Sequence, residues 1–187
     1  MLKKLLFYAR NKVRIKGDHF LSIDKSVRIR RCFISIKGEN NRLVIHKGAN
    51  IRDTYIEIDG SDCSIIIGEN CRIGHKCYLS AKEKNISIRI GKNSSFSRNV
   101  KIMTSDGHNV IQHNRRINPA KSIAIGEHVW IADGGTVLKG GGVGDNSIIG
   151  IHSVVTRNIG SNKIAVGTPA IEVKDAVNWC EELTYLK

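Results

Sequence analysis

Residues 125–160 read IGEHVW IADGGT VLKGGG VGDNSI IGIHSV VTRNIG, six consecutive hexads headed by Ile125, Ile131, Val137, Val143, Ile149 and Val155. The second position is often small, and the fifth is usually small or aliphatic. A period of six matches neither a 3.6-residue helix nor a long alternating strand. It matches three short flat sides per turn, with one aliphatic side chain per side pointing inward and glycine, Asn or Asp turning the corner. Repetition at a short fixed period marks a solenoid.

Toward the N-terminus the register continues more loosely. Ile23, Ile45, Ile67 and Ile90 recur at a nearly constant interval, and each opens a pair of hexads: IDKSVR/IRRCFI, IHKGAN/IRDTYI, IGENCR/IGHKCY and IGKNSS/FSRNVK. The third side of each upstream turn is longer and ends in β-branched runs such as IEID, SIII or ISIRI. Fifth positions here hold Val27, Ala49, Cys71, Cys77 and Ser94, which assigns both thiols to small inward sites. The expectation is an all-β triangular prism over residues 17–170, of about six coils spaced ~4.8 Å apart. Each coil covers its neighbour's edge, so only the ends need caps.

The ends read as short helices. Over residues 1–16, Leu2, Leu5, Leu6, Ala9 and Val13 follow helical spacing, with Lys3, Lys4, Arg10, Lys12 and Arg14 elsewhere on the wheel. Such a segment caps the prism or lies on an anionic membrane surface. Over residues 171–187, Ala176, Val177, Cys180 and Leu183 share one helical face. A single interruption breaks the hexads, MTSDGHNVIQHNRRINPAKS at residues 103–122. A long excursion from a regular solenoid is usually either functional or disordered, and this one is read as a loop leaving the prism wall to build the site.

Composition sets outer bounds. The 187 residues carry a net charge of +13, and a hydrophobic content of 41% excludes a disordered tail protein. Aromatics at 5%, with 18 glycines and 2 prolines, suit short strands and tight corners better than a large aromatic core. No apolar run approaches the ~20 residues of a spanning helix. The first residues lack an uninterrupted signal-peptide core, so a cytoplasmic protein is expected. Five cysteines, an odd number without C-x-x-C spacing, argue against a disulfide framework or a structural zinc site. The first 31 residues hold ten Lys and Arg against Asp18 and Asp24. A surface this basic attracts polyanions. Nucleic acid is not the expected partner, because no recognition motif or stacking-aromatic cluster accompanies the charge.

The hexads, taken with TSDGHN (104–109), IGEHVWIA (125–132), VTRNI (155–159) and GTPAIEVK (167–174), resemble the left-handed β-helix acyltransferases. Within these the similarity is to the sugar and capsular-polysaccharide O-acetyltransferases, over about residues 60–174. The resemblance implies a left-handed prism, a homotrimer, and acetyl-CoA as co-substrate in a cleft between neighbouring prisms, with no metal. The implied reaction moves acetyl to a hydroxyl of a capsule, exopolysaccharide or lipopolysaccharide saccharide. An acidic one such as sialic acid would fit the basic charge, and contact with the inner membrane face would fit a cell-envelope enzyme.

That chemistry needs a base to take the hydroxyl proton as the oxygen attacks the thioester, and an imidazole with its ordinary pKa near ~6.5 is suited to it. His108, directly after Gly107, matches the position where similar enzymes keep their base. Asp106 could orient it or cap a turn. His113 is the second candidate, while His75, His128 and His152 read as outward wall residues. Trp130 matches the tryptophan of a V-W-I-G segment and is read as packing against pantetheine or positioning His108. Asp133, Ile151 and Thr156 align with the pantetheine track, and Arg157 and Lys174 with basic positions near the nucleotide phosphates. Arg115 and Arg116 on the excursion are the expected acceptor-binding residues.

Three departures qualify the match. Ile171 stands where relatives often carry arginine, Asp133 replaces a small hydroxyl residue, and an asparagine near the acceptor has no counterpart. The alternatives are an N-acetyltransferase of a nucleotide amino sugar, a serine O-acetyltransferase, and a non-catalytic scaffold. A different chemistry would be a zinc enzyme resembling γ-carbonic anhydrases, with His108, His113 and His75 as ligands.

Overall fold

In the computed structural model, which describes residues 7–183, the aliphatic heads of the hexads fall into three columns. On the first face Val13, Ile34, Ile56, Leu79, Ile102, Val137 and Val155 stand in register. The second face aligns Ile23, Ile45, Ile67, Ile90, Ile125, Val143 and Ile159. The third aligns Ile29, Ile51, Ile73, Phe96, Ile131, Ile149 and Ala165. These columns form one continuous buried core. The walls are two sheets of seven strands and one of eight, all parallel apart from a closing strand. Seven coils result.

The hexads from Ile23 to Val155 make six coils, and the seventh is completed by one more side at the N-terminal end, Lys12–Ile15, and two at the C-terminal end, Asn158–Ile159 and Ile164–Val166. Within residues 7–16, the predicted N-terminal helix is a single turn at residues 7–10. Asn11 ends it: its side-chain amide donates to the carbonyls of Phe7 (2.9 Å) and Ile29 (3.2 Å), and its oxygen accepts the Cys32 N–H (2.9 Å). Lys12–Ile15 then alternates polar and apolar and adds a strand to the first face. That period of two wins over the helical spacing because Val13 and Ile15 can extend the inward columns. Leu2, Leu5 and Leu6 lie outside the described residues.

The C-terminal helix is likewise replaced by extended chain in residues 171–183. Ile171–Lys174 runs antiparallel to Ile164–Val166, covering the open edge of the third face. Beyond it, Val177 and Trp179 are half-buried while their neighbours are exposed, the alternation of extended chain and not of a helix. The tail descends the corner between the second and third faces. Asn162 holds it at Val177, His128 holds it at Trp179, and an ion pair joins Glu181 to Arg72.

Upstream coils are longer than three hexads because the corner between first and second faces is wide. The strands Phe33–Glu39, Tyr55–Ser61 and Tyr78–Lys84 run into it. Asn41, fully buried, closes this corner by donating to the carbonyls of Lys37 and Gly60, both at 2.8 Å, and accepting the Cys63 N–H at 2.9 Å. Gly60 permits the close stacking: a Cβ there would sit 1.8 Å from the Glu83 carbonyl oxygen.

Two outcomes follow from this geometry. Gly60→Ala should destabilise the fold by about 1–3 kcal/mol in denaturant titration. Gly160→Ala, whose Cβ would meet nothing closer than 3.4 Å, should stay within about 0.5 kcal/mol. Burial pushes the Cys71 and Cys77 thiols up to about 11, and Cys32 and Cys63 are also buried and raised, whereas Cys180 is exposed. A thiol reagent at about pH 8 should therefore modify one cysteine in the native protein and all five after denaturation.

Candidate active site

The excursion leaves the fifth coil at the corner between first and second faces. Its base is closed where the Lys121 N–H donates to the Thr104 carbonyl (3.0 Å), Thr104 itself being fully buried. The outer part is a hairpin pairing Ile111–Gln112 with Arg115–Arg116. Its two-residue turn is His113-Asn114, both with positive φ (48° and 58°), the requirement of a type I′ turn. His113 thus serves the tip of a hairpin.

Side chains of the loop itself and of the coils above and below hold it in place. Asn118, buried, donates from Nδ2 to Asp106 Oδ2 (2.7 Å) and to the His108 carbonyl (2.8 Å), and its Oδ1 accepts the Val110 N–H (2.7 Å). Lys139, from the next coil, bonds to Asp106 and donates to the Asn118 carbonyl at 3.0 Å. Glu83, from the coil below, accepts from Arg116 Nη2 (2.5 Å), the Ser105 hydroxyl (2.7 Å) and the Ala120 N–H (3.3 Å). Asp106 therefore anchors the loop through Lys139 and Asn118 and makes no hydrogen bond to the His108 ring. The His108 backbone is held and its exposed imidazole makes no hydrogen bond among the described residues. Of the two arginines, Arg116 is engaged by Glu83 and Asn118, and Arg115 is exposed.

Trp130 stands elsewhere, at the start of the third face, 38% exposed, with its indole N–H donating to the Ser97 hydroxyl (3.2 Å). Above it, outward on the same face and in register, come Ile148, Ile164 and finally Lys174 on the closing strand. This is a partly apolar stripe with a cation at its end. Trp179 borders it, stacked on His128 (centroids 4.3 Å apart) and tilted toward Trp130 at 6.0 Å. Asp133 and Ile151 lie at the corner between third and first faces. There Asn99 and Arg98 hold the Asp133 carboxyl below the usual carboxylate range. Thr156 and Arg157 sit at the first-to-second corner, two coils above the excursion, and both are exposed.

The sequence-predicted residues thus fall at three places around one prism, with Asp133 and Ile151 apart at the corner between third and first faces. His108, Arg115, Arg116, Thr156 and Arg157 share the excursion's corner, whereas Trp130 and Lys174 share the third face. No hydrogen bond or ring contact joins these two groups. His75 is at yet another corner, 3.7 Å from Asp53, so the chain does not gather His75, His108 and His113. Among the described residues, no group of three or more His, Cys, Asp or Glu side chains could hold a metal ion. No helix among them is long and apolar enough to cross a membrane.

Sequence reading missed Glu83, Asn118, Lys139 and Trp179. The first had a detectable signal: Glu83 falls in the register of Gly38 and Gly60, at the same point of successive coils. Trp179 was hidden by the helical reading of the tail.

A seven-coil parallel β-helix broken by one tethered excursion is the build of the hexapeptide-repeat acyltransferases. The structure matches the crystal structure of the polySia specific acetyltransferase NeuO with a TM-score of 0.85 and 31% identity, covering 92% of this chain and 73% of that one. Among curated sequences, the chain is 34% identical over 137 residues to the polysialic acid O-acetyltransferase of Escherichia coli O1:K1 / APEC, covering 72% of this chain and 43% of that protein. It is also 34% identical over 139 residues to the galactoside O-acetyltransferase of Lactococcus lactis subsp. lactis (strain IL1403), covering 64% of this chain and 66% of that protein. The chain accordingly spans less than two thirds of the length of either curated relative. No family model matches it. The chain belongs to the hexapeptide-repeat O-acetyltransferase family.

The loop anchors carry a pH signature. Arg116 beside Glu83, and Lys139 with Asn118 beside Asp106, hold both carboxyls below the usual range. Anchoring is then complete above about pH 4.3 and is lost as pH falls through the depressed values. Amide exchange over residues 105–118, corrected for intrinsic rates, should be equally slow at pH 5 and pH 7, by mass spectrometry, and should accelerate as the pH is taken below the ordinary carboxylate range.

Proposed function

We propose that this protein transfers acetyl from acetyl-CoA to a hydroxyl of an acidic cell-surface saccharide, with His108 as the general base. The observation that carries this reading is the interrupted wall. The one departure from the hexads is pinned by Glu83, Asn118, Asp106 and Lys139, yet leaves the His108 imidazole exposed and unbonded. Such a ring can take a proton from a substrate hydroxyl without first giving up a partner. The freed oxygen attacks the thioester carbonyl, the carbon–sulfur bond breaks, and coenzyme A departs as the thiolate while the acetyl group stays on the saccharide.

The division of residues between two sides of the prism supports a site shared by two chains of a homotrimer. The corner bearing His108, Thr156 and Arg157 would face the Trp130–Ile148–Ile164–Lys174 stripe of a neighbour. That stripe suits an elongated thioester: an indole and two isoleucines for the pantetheine arm, then Lys174 toward the phosphates. Arg115, exposed on the excursion, is the arginine free to meet an acceptor carboxylate, and the net charge of +13 favours a polyanionic acceptor. The relatives named for polysialic acid support the same substrate class.

Transfer from labelled acetyl-CoA should be measured with polysialic acid, neutral oligosaccharides, amino sugars and serine as acceptors. Acetylation confined to amines or serine would overturn the reading. His108→Ala should lower kcat at least ~10²-fold and leave acetyl-CoA affinity unchanged by calorimetry. Turnover at the wild-type rate in this variant would remove His108 from the mechanism.

A further inference from the structure

The wide corner between first and second faces is built from a stack of small residues. Gly17 (φ +100°) lies beneath Gly38 (φ +96°), Gly38 beneath Gly60, and Gly60 beneath Glu83 (φ +88°). The spacing leaves no room for a side chain inside the stack. A Cβ at Gly38 would lie 2.0 Å from the Gly60 carbonyl oxygen, and one at Gly60 would lie 1.8 Å from that of Glu83. The φ at Glu83 is one that glycine adopts freely and an L side chain adopts at a cost. Glutamate occupies it nonetheless. It can be accommodated because it tops the stack: the coil above leaves the wall at Thr104, so no wall strand pairs above it. Its carboxylate then holds both limbs of the departing segment, Ser105 on the outgoing side and Arg116 and Ala120 on the returning side.

We infer that Glu83 is a positioning residue, one that accepts backbone strain at the rim of the wall in order to fix the place where the excursion presents His108. This rests on the reading of His108 as the base. Glu83 itself touches no reacting atom; it acts through Arg116, Ser105 and Ala120. A residue present only for wall stability would be expected to be glycine, as in the coils below, so the side chain is explained by what it holds.

The discriminating variant is Glu83→Gly, which restores the residue the backbone prefers and removes the carboxylate. Its melting temperature should equal or exceed that of the wild type. Amides of residues 105–120 should exchange about tenfold faster or more, and kcat should fall by a similar factor with the KM for acetyl-CoA unchanged. Glu83→Gln, which keeps one acceptor oxygen, enough for Ser105 or for Ala120 but not for both, and loses the Arg116 ion pair, should recover part of the protection and part of the rate. A Glu83→Gly protein that melts lower would mean the residue serves the wall, and wild-type exchange or wild-type kcat would mean it holds nothing of consequence; each overturns the inference. If the wild-type protein transfers no acetyl group at all, the functional reading fails separately, while the exchange comparison still decides whether Glu83 holds the excursion.

Discussion

Everything in this molecule depends on parallel strand register. Each wall residue sends its backbone hydrogen bonds to the coil above or below, so a coil cannot slip without moving its aliphatic head off the inward column. That constraint makes the prism stiff along its length. It also dictates where residues can be special. A polar side chain that breaks the repeat must sit at a corner or on a segment that leaves the wall, because inside the columns the residues are apolar, Phe96 included.

The site follows from that restriction. The excursion is the one segment freed from register, and a loop of its length would cost considerable ordering entropy if left to itself. It is instead tied down by buried and half-buried polar groups: Asn118 within the loop, Lys139 from above and Glu83 from below. Two wall coils therefore determine the loop's position. The second group of candidate residues, Trp130 and the stripe running to Lys174, needs no loop because a flat β-face already displays side chains in a line. The tail corner adds Trp179, whose ring covers His128 and flanks Trp130.

Much of the fold could be read in the sequence, and the reasons are specific. Hexad heads such as Ile125 and Val137 must be aliphatic wherever the column passes, so the period survives in every coil above the excursion. Cys71 and Cys77 were legible as interior residues because their fifth-position slots recur as small or aliphatic residues along the chain. The ends were less legible. Lys12–Ile15 and Ile171–Lys174 carry both a helical and an alternating pattern over a few residues, and only the presence of an unpaired sheet edge beside them decides for strand. In the site, His108, Trp130 and the basic residues stood out by type and motif. Glu83 and Asn118 did not, since their importance lies in what they hold at a distance along the chain, as Glu83 holds Ser105 and Ala120, a relation that no local pattern records.

Apart from Arg72, which pairs with the tail at Glu181, and Glu83, which holds the excursion, the coils below the excursion contact mainly one another. Because stability in such a stack is close to a sum of nearest-neighbour terms, a whole turn can be gained or lost there by duplication or deletion without disturbing Glu83, His108 or the stripe above. The lower stack is thus a modular extension whose height can change independently of the excursion and of the stripe above it.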